Sequence, residues 1–319
     1  MTSVRLPPTF IPSTPWSQPA MTPPLPRRNV NGLRPTDVSN CSTCSKRGAV
    51  MHAWMHTPQG ELTEAVHGIG FISTVDDPWP PAQPQLNRFP AMVYCSLNFF
   101  TEGAVALPDD GGALRALSDW VVSGPRTRPI ASLTLAPLRT VGVVLYPDAF
   151  ALLTGLAPAA LQDRNDPADG LLDDSWADWP QALRACADDA AQLAWIEARL
   201  SERWRAARKN WDAKVGASLR SIAAAAPELG VGARQTQRQY RARVGLSPAQ
   251  ARRLQRMNAA VYALRDPDAP ARTLADLAAE LGYADQAHMA RELRQLAGLP
   301  PSRLEERIET DSEYWPYRL

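Results

Sequence analysis

The stretch LADLAAELGYADQAHMARELRQLAGLPP, residues 274–301, decides the fold of the C-terminal part of this chain. It predicts a helix, a tight turn and a second helix. Thr273 is placed to cap the first helix, and Asp276 completes a capping box. Gly282 supplies the left-handed residue that ends this helix, and Asp285 is placed to cap the next one. A glycine and then a proline pair end the second helix.

Apolar residues recur at helical spacing in both of these helices. They are Leu274, Leu277, Ala278 and Leu281 in the first helix, and Met289, Ala290, Leu293 and Leu296 in the second. Two short helices joined by a tight turn form a helix-turn-helix unit, whose second helix enters the major groove of DNA.

By the same periodicity, the second helix has a polar face directed away from its core. This face carries Ala287, His288, Arg291 and Gln295, with Arg294 at its edge and Gln286 at the start of the helix. Arginine and glutamine side chains form bidentate hydrogen bonds with guanine and adenine edges. The pattern alone fits base contacts from this face and the solvated face of a small helical bundle equally well.

An earlier segment, residues 233–244, predicts a helix with four arginines and no acidic residue. Its inward face is Thr236, Tyr240 and Val244, and its outward face is Arg234, Gln235, Arg238 and Arg241, with Gln237 at the flank. Arginines on one helix face bind phosphate and guanine alike. Ser247 is placed to cap the next helix, with Pro248 at its first position. The predicted buried stripe of that helix is Ala251, Leu254, Met257, Val261 and Leu264.

The block GYADQAHMARELRQLAGLPPSRL, residues 282–304, resembles the second helix-turn-helix of the AraC/XylS family of bacterial transcription regulators. The Gly-Tyr-x-Asp-Gln turn, Arg291 two residues after Met289, Gly298 and the proline pair carry this resemblance. The segment GVGARQTQRQYRARVGLSP, residues 230–248, resembles the first recognition helix of the family and the start of its linker helix. The residues in register there are Arg234, Arg238, Tyr240, Gly245, Ser247 and Pro248.

The resemblance implies two recognition helices on one linker helix, inserted into successive segments of the major groove. It implies base contacts from Arg234, Gln237 and Arg238 in the first helix and from Gln286, His288 and Arg291 in the second. The outward positions of Arg241 and Arg294 add them to the predicted DNA-binding set.

Three residues depart from the family pattern. Thr236 stands where a buried leucine is usual, and Ala287 stands where a polar residue is common. Pro227 falls where the first helix of the first unit should run, and an interior proline removes a backbone hydrogen bond. The first unit is therefore expected to be looser than the second.

The charge of the chain is unevenly distributed. Residues 207–310 hold 17 Lys+Arg and 11 Asp+Glu, a net charge of +6, whereas the remaining residues carry −5. A basic C-terminal part beside an acidic remainder is expected where one domain binds phosphate. No apolar run is long enough to span a membrane and no secretory signal is visible, so a cytoplasmic location with reduced thiols is expected.

The first 50 residues are rich in Pro, Ser and Thr, which predicts a disordered arm. Near its end, Cys41, Cys44, His52 and His56 form a candidate zinc set. The spacing between the two pairs is shorter than in a zinc finger. We therefore interpret these residues as coincidental and predict no metal and no cofactor. The zinc-dependent methyl transfer of related DNA-repair proteins is not supported, because Cys95 and Cys186 stand alone.

Residues 51–206 predict a β-rich sensor or dimerisation domain, a barrel or sandwich that ends in a long helix. The predicted strands are TEAVHGIGFISTV, AMVYCSLNFF, GAVAL, WVVSG, IASLTLAPL and TVGVVLY. PDAFALLTGL predicts a short helix, and a long helix is predicted from Pro180 towards Trp211. Its apolar stripe is Leu183, Cys186, Ala190, Leu193, Ile196, Leu200 and Trp204, which we interpret as part of the domain core.

The β-rich part shows no catalytic motif. His67 is alone within its strands, and neither a nucleophile elbow nor a glycine-rich phosphate loop occurs. His67 is interpreted as a surface or hydrogen-bonded strand residue. The aromatic residues Trp79, Tyr94, Phe99, Phe100 and Trp120 fit either a ligand pocket or a structural core, and the core is favoured.

The fold class predicted is α+β, with a β-barrel or sandwich-like sensor domain and a C-terminal all-α double helix-turn-helix domain. The predicted division is residues 1–50, an arm; 51–206, the sensor; 207–310, the DNA-binding domain; and 311–319, a tail. The predicted function is transcription regulation without enzymatic activity. The predicted partners are double-stranded DNA, a small-molecule effector, a second copy of the chain and RNA polymerase, with no membrane. A sensor with a degenerate DNA-binding domain, and an enzyme using the β domain, are the alternatives.

Overall fold

The computed structural model describes residues 4–5, 41–44, 51–75, 84–109, 112–210, 233–265 and 272–318. Pro227, Trp79 and most of the predicted arm lie outside these ranges, as do the side chains of residues 233–236.

The N-terminal part consists of two antiparallel sheets. In chain order, their strands are β1 (Val4–Arg5), β2 (Cys41–Cys44), β3 (Met51–His56), β4 (Val66–Ser73), β5 (Gln85–Phe89), β6 (Cys95–Glu102), β7 (Val105–Pro108), β8 (Ala113–Ala116), β9 (Trp120–Ser123), β10 (Ile130–Thr134), β11 (Arg139–Leu145) and β12 (Asn165–Pro167). One sheet has the order β1-β8-β7-β10-β5, and the other has the order β12-β9-β6-β11-β4-β3-β2. Side chains of both sheets line one cavity, so the sheets face each other. The predicted sandwich-like fold is confirmed.

Strands β6 and β11 show the alternation expected of a sheet with two different faces. Leu97 and Val143 are fully buried on one face, in a core shared with helices. Asn98 and Gly142 line the cavity on the opposite face. Gly142 leaves room there, because a Cβ atom on it would lie 2.9 Å from Oδ1 of Asn98.

Among the described residues, the helices that accompany the sheets are α1 (Pro147–Thr154), α2 (Trp179–Ala185) and α3 (Asp189–Ala207). The single long helix predicted from Pro180 is therefore wrong. Cys186 is extended, and the side chain of Asp188 accepts the backbone N–H of Ala191, which starts a new helix. The predicted stripe nevertheless packs in the core of the larger sheet, through Leu183, Ile196, Leu200 and Trp204.

The C-terminal part is helical: α4 (Ala233–Val244), α5 (Pro248–Arg265), α6 (Leu274–Glu280), α7 (Gln286–Leu296) and α8 (Pro301–Thr310). The predicted capping box of Thr273 and Asp276 is present, and Asp285 accepts the N–H of His288 at 2.6 Å. Gly282 has the predicted left-handed conformation, with φ 72°. These local predictions are confirmed. Among the described residues, no helix is both long and apolar enough to span a membrane.

Segments that the sequence placed in terminal extensions contribute to the folded body. Residues 4–5 pair with β8, and residues 41–44 pair with β3, so these two parts of the predicted disordered arm form strands. At the other end, a 3-10 helix at Ser312–Arg318 lies within the predicted tail. Its Trp315 is buried, and its indole N–H donates to Asn87 Oδ1 of β5 at 2.8 Å.

Candidate nucleic-acid interface and internal cavity

Helix α7 has the two faces that a recognition helix requires. Met289, Leu293 and Leu296 are buried in the core of the helical part. The predicted reading residues Gln286, Arg291 and Arg294 are exposed, together with Ala287 and Gln295. The reading face is therefore open to solvent over the length of the helix.

His288 is half-buried at the start of the same helix. Its ring meets Tyr283 edge-on at 5.4 Å, and its Nδ1 accepts the backbone N–H of Ala284 at 3.4 Å. With Nδ1 as the acceptor, the neutral ring carries its proton on Nε2. His288 can therefore offer one hydrogen-bond donor at the N-terminal end of α7.

A buried carboxylate joins α7 to the linker helix α5. Glu292 is 4% exposed and accepts Nε of Arg253 at 2.8 Å and Nη2 of Arg256 at 3.1 Å. Such charge-assisted bonds are geometrically specific and fix the orientation of α7 on α5. Nη2 of Arg253 also donates to Oε1 of Gln295 at 2.7 Å. Gln295 lies on the predicted reading face, but its amide oxygen is already occupied.

Helix α4 presents a second basic face. Gln237, Arg238 and Arg241 are exposed, while Tyr240 and Val244 are buried as predicted. The side chains of Arg234 and Thr236 lie outside the described residues. Four arginines of the predicted DNA-binding set have described side chains, and within the described chain none of them forms an ion pair. These four are Arg238, Arg241, Arg291 and Arg294. They are available to phosphate or to bases.

A cavity of about 280 Å³ lies between the two sheets. The helical part contributes to its wall, through Asn258, Val261, Tyr262 and Arg265 of α5 and through residues 315–317. Tyr94 and Phe100 line the cavity, whereas Phe99 and Trp120 belong to the core. Of the described aromatic residues that the sequence singled out, two therefore line a pocket and two belong to the structural core.

His67 also lines this cavity, which corrects its interpretation as a surface residue. Its ring stacks on Tyr94 at 4.0 Å and meets the edge of Tyr146 at 5.9 Å. Burial lowers the pKa of His67 below its ordinary value, which favours the neutral ring.

A chain of polar side chains crosses the cavity wall. Asn98 Nδ2 donates to Ser123 Oγ at 3.3 Å, and Ser123 Oγ donates to Asn165 Oδ1 at 2.7 Å. The same Asn165 oxygen accepts Nη2 of Arg126. Burial lowers the pKa of Arg126 to about 10, and the charge of Asp163 acts in the opposite direction. The guanidinium therefore remains charged at neutral pH.

The sequence reasoning missed Arg126 and Asn165 as candidate site residues. The available signal was a charged residue in a turn between two apolar strands, β9 and β10. A surface turn produces the same pattern, so the sequence alone does not distinguish the two.

Of the candidate metal residues, Cys41 and Cys44 lie on β2, and His52 and His56 lie on the adjacent strand β3. Strand pairing places Cys41 opposite Trp54 and Thr43 opposite His52. His56 Nε2 is 2.9 Å from Oε1 of Glu197 on α3. Within the described residues, no group of three or more His, Cys, Asp or Glu is arranged to hold a metal ion.

Comparisons with known proteins identify the C-terminal region. Residues 225–307 match a family model described as a helix-turn-helix domain, which is of the AraC type. Among solved structures, ToxT from Vibrio cholerae O395 is 11% identical with a TM-score of 0.36, covering 72% of this chain and 98% of its own. ToxT of strain SCE256 bound to an unsaturated fatty acid is 10% identical with a TM-score of 0.34, covering 70% and 94%. EutQ from Clostridium difficile is 11% identical with a TM-score of 0.24, covering 38% and 92%. No curated protein sequence matches the chain.

Proposed function

Because residues 225–307 form an AraC-type helix-turn-helix domain, we propose that the chain is a sequence-specific DNA-binding transcription regulator. We propose that a small molecule bound by the β-rich part controls it. The observation that carries the proposal is the pair of amphipathic helices α4 and α7, whose apolar faces share one core and whose basic faces are exposed.

Eight side chains are assigned to DNA. They are Arg234, Gln237, Arg238 and Arg241 of α4, and Gln286, His288, Arg291 and Arg294 of α7. Arginine and glutamine supply bidentate contacts to purine edges, while the remaining cations neutralise phosphates. The two helices would contact major-groove segments about 10 bp apart. Any bend that this spacing requires costs the duplex on the order of a few kcal/mol.

The test is selection of bound sequences from random duplexes by the full-length protein, followed by footprinting. We expect one enriched motif and two protected major-groove segments per monomer. The logarithm of the association constant should fall linearly with the logarithm of salt concentration, by about 0.9 for each phosphate neutralised. A lack of enrichment, together with salt-insensitive binding, would favour a sensor with a degenerate DNA-binding domain.

Control by an effector rests on the position of the cavity. It lies in the β-rich part, but helix α5, which carries both recognition helices, forms part of its wall. A ligand that binds one arrangement of the two parts better than another shifts the population of arrangements. A second copy of the chain and RNA polymerase are further proposed partners. Sedimentation of the protein with and without its selected site measures the first, and promoter-dependent transcription measures the second.

A further inference from the structure

Arg126 is a buried cation that forms no ion pair with any residue the structure describes. It is 8% exposed and lines the cavity, and its Nη1 donates no hydrogen bond. The nearby Asp163 is occupied elsewhere. It accepts the N–H of Thr127 at 2.7 Å and the hydroxyl of Thr127 at 2.6 Å. A buried guanidinium is stable only when its donors are matched, so this site lacks an acceptor.

The arginines of a second pocket, a groove beside α8, differ from Arg126 in having carboxylate partners. The groove encloses about 620 Å³ and contains Arg88, Arg303 and Arg307. Arg88 Nε is 2.9 Å from Glu313, Arg303 Nε is 3.6 Å from Glu306, and Arg307 pairs with Asp311. Each arginine of the groove therefore has a carboxylate of the chain as its partner. Arg126, in contrast, lines the cavity without a carboxylate partner among the residues that the structure describes.

We infer that the cavity binds a small organic acid whose carboxylate accepts hydrogen bonds from Arg126. This inference rests on the proposed role of the β-rich part as a sensor, and it names the class of effector. The bond from Arg126 Nη2 to Asn165 holds the guanidinium in place, and a carboxylate matches the geometry of its donors. Phe89, Phe100 and Val121 provide apolar walls for the rest of the molecule. A volume of about 280 Å³ lies just below the roughly 300–1,000 Å³ of pockets for drug-sized ligands, so the cavity suits a smaller acid.

Arg126 also connects the cavity to both recognition helices. Its backbone pairs with Met92, with N···O distances of 2.8 and 3.1 Å. The residue before Met92, Ala91, donates its N–H to the carbonyl of Leu296 at the end of α7, at 2.8 Å. The residue before Arg126 lies against the end of α4, because a Cβ atom on Gly245 would be 2.9 Å from Cγ of Pro125. A ligand that repositions Arg126 therefore acts on the C-terminal ends of α4 and α7 together.

The first experiment compares acids with their amides on the full-length protein, by calorimetry and thermal unfolding. The probes are benzoate against benzamide and hexanoate against hexanamide, with inorganic phosphate at equal ionic strength. We expect at least one acid to raise the Tm and to bind at least tenfold more tightly than its amide. Equal binding of acids and amides, no binding of any probe, or an equal effect of phosphate would overturn the inference.

The variant Arg126→Met should remove the preference for the acid, since methionine keeps the length of the side chain without its charge. Arg303→Met is the matched control, because Arg303 is an exposed arginine paired within its own helix and should leave acid binding unchanged. If Arg126→Met does not fold, the acid–amide comparison on the unmodified protein still determines whether the cavity prefers a carboxylate.

A second experiment separates acid binding from gene regulation. DNA affinity for the selected site is measured with and without saturating acid, and a change of at least fivefold is expected. If acid binds but DNA affinity changes by less than twofold, the coupling through Arg126 is wrong and the acid site stands. If the protein binds no DNA sequence selectively while acid binding persists, the proposed regulatory function fails instead.

Discussion

Arg291 projects into solvent from α7, two residues after Met289, which is fully buried. The buried face of α7 holds the backbone of Arg291 in place, and its guanidinium is exposed, as contact with a base requires. We expect Arg291→Ala to weaken binding to the selected site by about 1–3 kcal/mol and to relax the preference at one base pair. Fluorescence anisotropy on the selected site and on its single-base variants measures both effects.

The control for Arg291 is Arg303→Ala, an exposed arginine outside the predicted reading faces. It should leave the affinity and the base preference unchanged. Equal losses for Arg291→Ala on selected and scrambled duplexes would assign Arg291 to phosphate rather than to a base.

His67 is expected to make the stability of the folded protein depend on pH. Its pKa is lowered in the folded protein by burial against Tyr94 and Tyr146, so the unfolded chain binds its proton more readily. The stability contributed by the neutral ring is present above the unfolded pKa of about 6.5. It is lost as the pH falls from there towards the lowered folded pKa. We expect His67→Phe, which keeps a stacked ring, to lose less Tm than the unmodified protein between about pH 7.5 and pH 5.5.

The comparison for His67 is His52→Gln, a substitution of an exposed histidine on β3. Its Tm should follow that of the unmodified protein over the same pH range. A slope for His67→Phe equal to that of the unmodified protein would show that His67 does not contribute to acid destabilisation.

At the scale of elements, Glu292 determines how α7 sits on α5. Its buried carboxylate receives Arg253 and Arg256, and both arginines are partly exposed. Glu292→Gln removes the charge and leaves two cations that water can partly solvate. We expect a loss of about 1.5–3 kcal/mol in the free energy of unfolding, measured by urea denaturation, because hydrogen bonds to charged groups have this magnitude.

Glu306→Gln is the matched control, because Glu306 pairs with Arg303 in an exposed ion pair of the i, i+3 type. Exposed pairs of this kind contribute about 0–1 kcal/mol. An equal and small effect of both substitutions would mean that Glu292 does not fix the orientation of α7.

Local chemistry explains which elements the sequence predicted. The capping box of Thr273 and the left-handed Gly282 act over three or four residues, so they can be seen in the sequence and are present in the structure. The break between α2 and α3 also had a local signal, the cap at Asp188, but the continuous apolar stripe concealed it. The cavity had no local signal, since Ser123 and Asn165 meet across a separation of 42 residues. Whether Arg126 is inside or outside depends on sheet packing, which no short pattern encodes.

At the scale of the whole molecule, the β-rich part and the helical part each contribute residues to the packing of the other. Ala91 of the β-rich part belongs to the core of the helical part, and the C-terminal 3-10 helix returns to pack on β5. Trp315 of this 3-10 helix contacts Phe89 of β5 and lines the cavity. The two parts are therefore joined by the linker helix, by the Ala91 contact and by this C-terminal segment.

Two substitutions of Trp315 test whether this segment holds the parts together. Trp315→Phe keeps an apolar ring but loses the N–H bond to Asn87, which leaves a buried oxygen unmatched and should cost about 1–3 kcal/mol of unfolding free energy. Trp315→Ala also removes the packing and should cost about 3–5 kcal/mol. Limited proteolysis should become faster in the same order, because cleavage reports local opening of the docked segment. Stability and cleavage rates equal to those of the unmodified protein for Trp315→Ala would mean that the segment is undocked in solution and that the remaining contacts, among them those of Ala91 and of Gly245 with Pro125, couple the two parts without it.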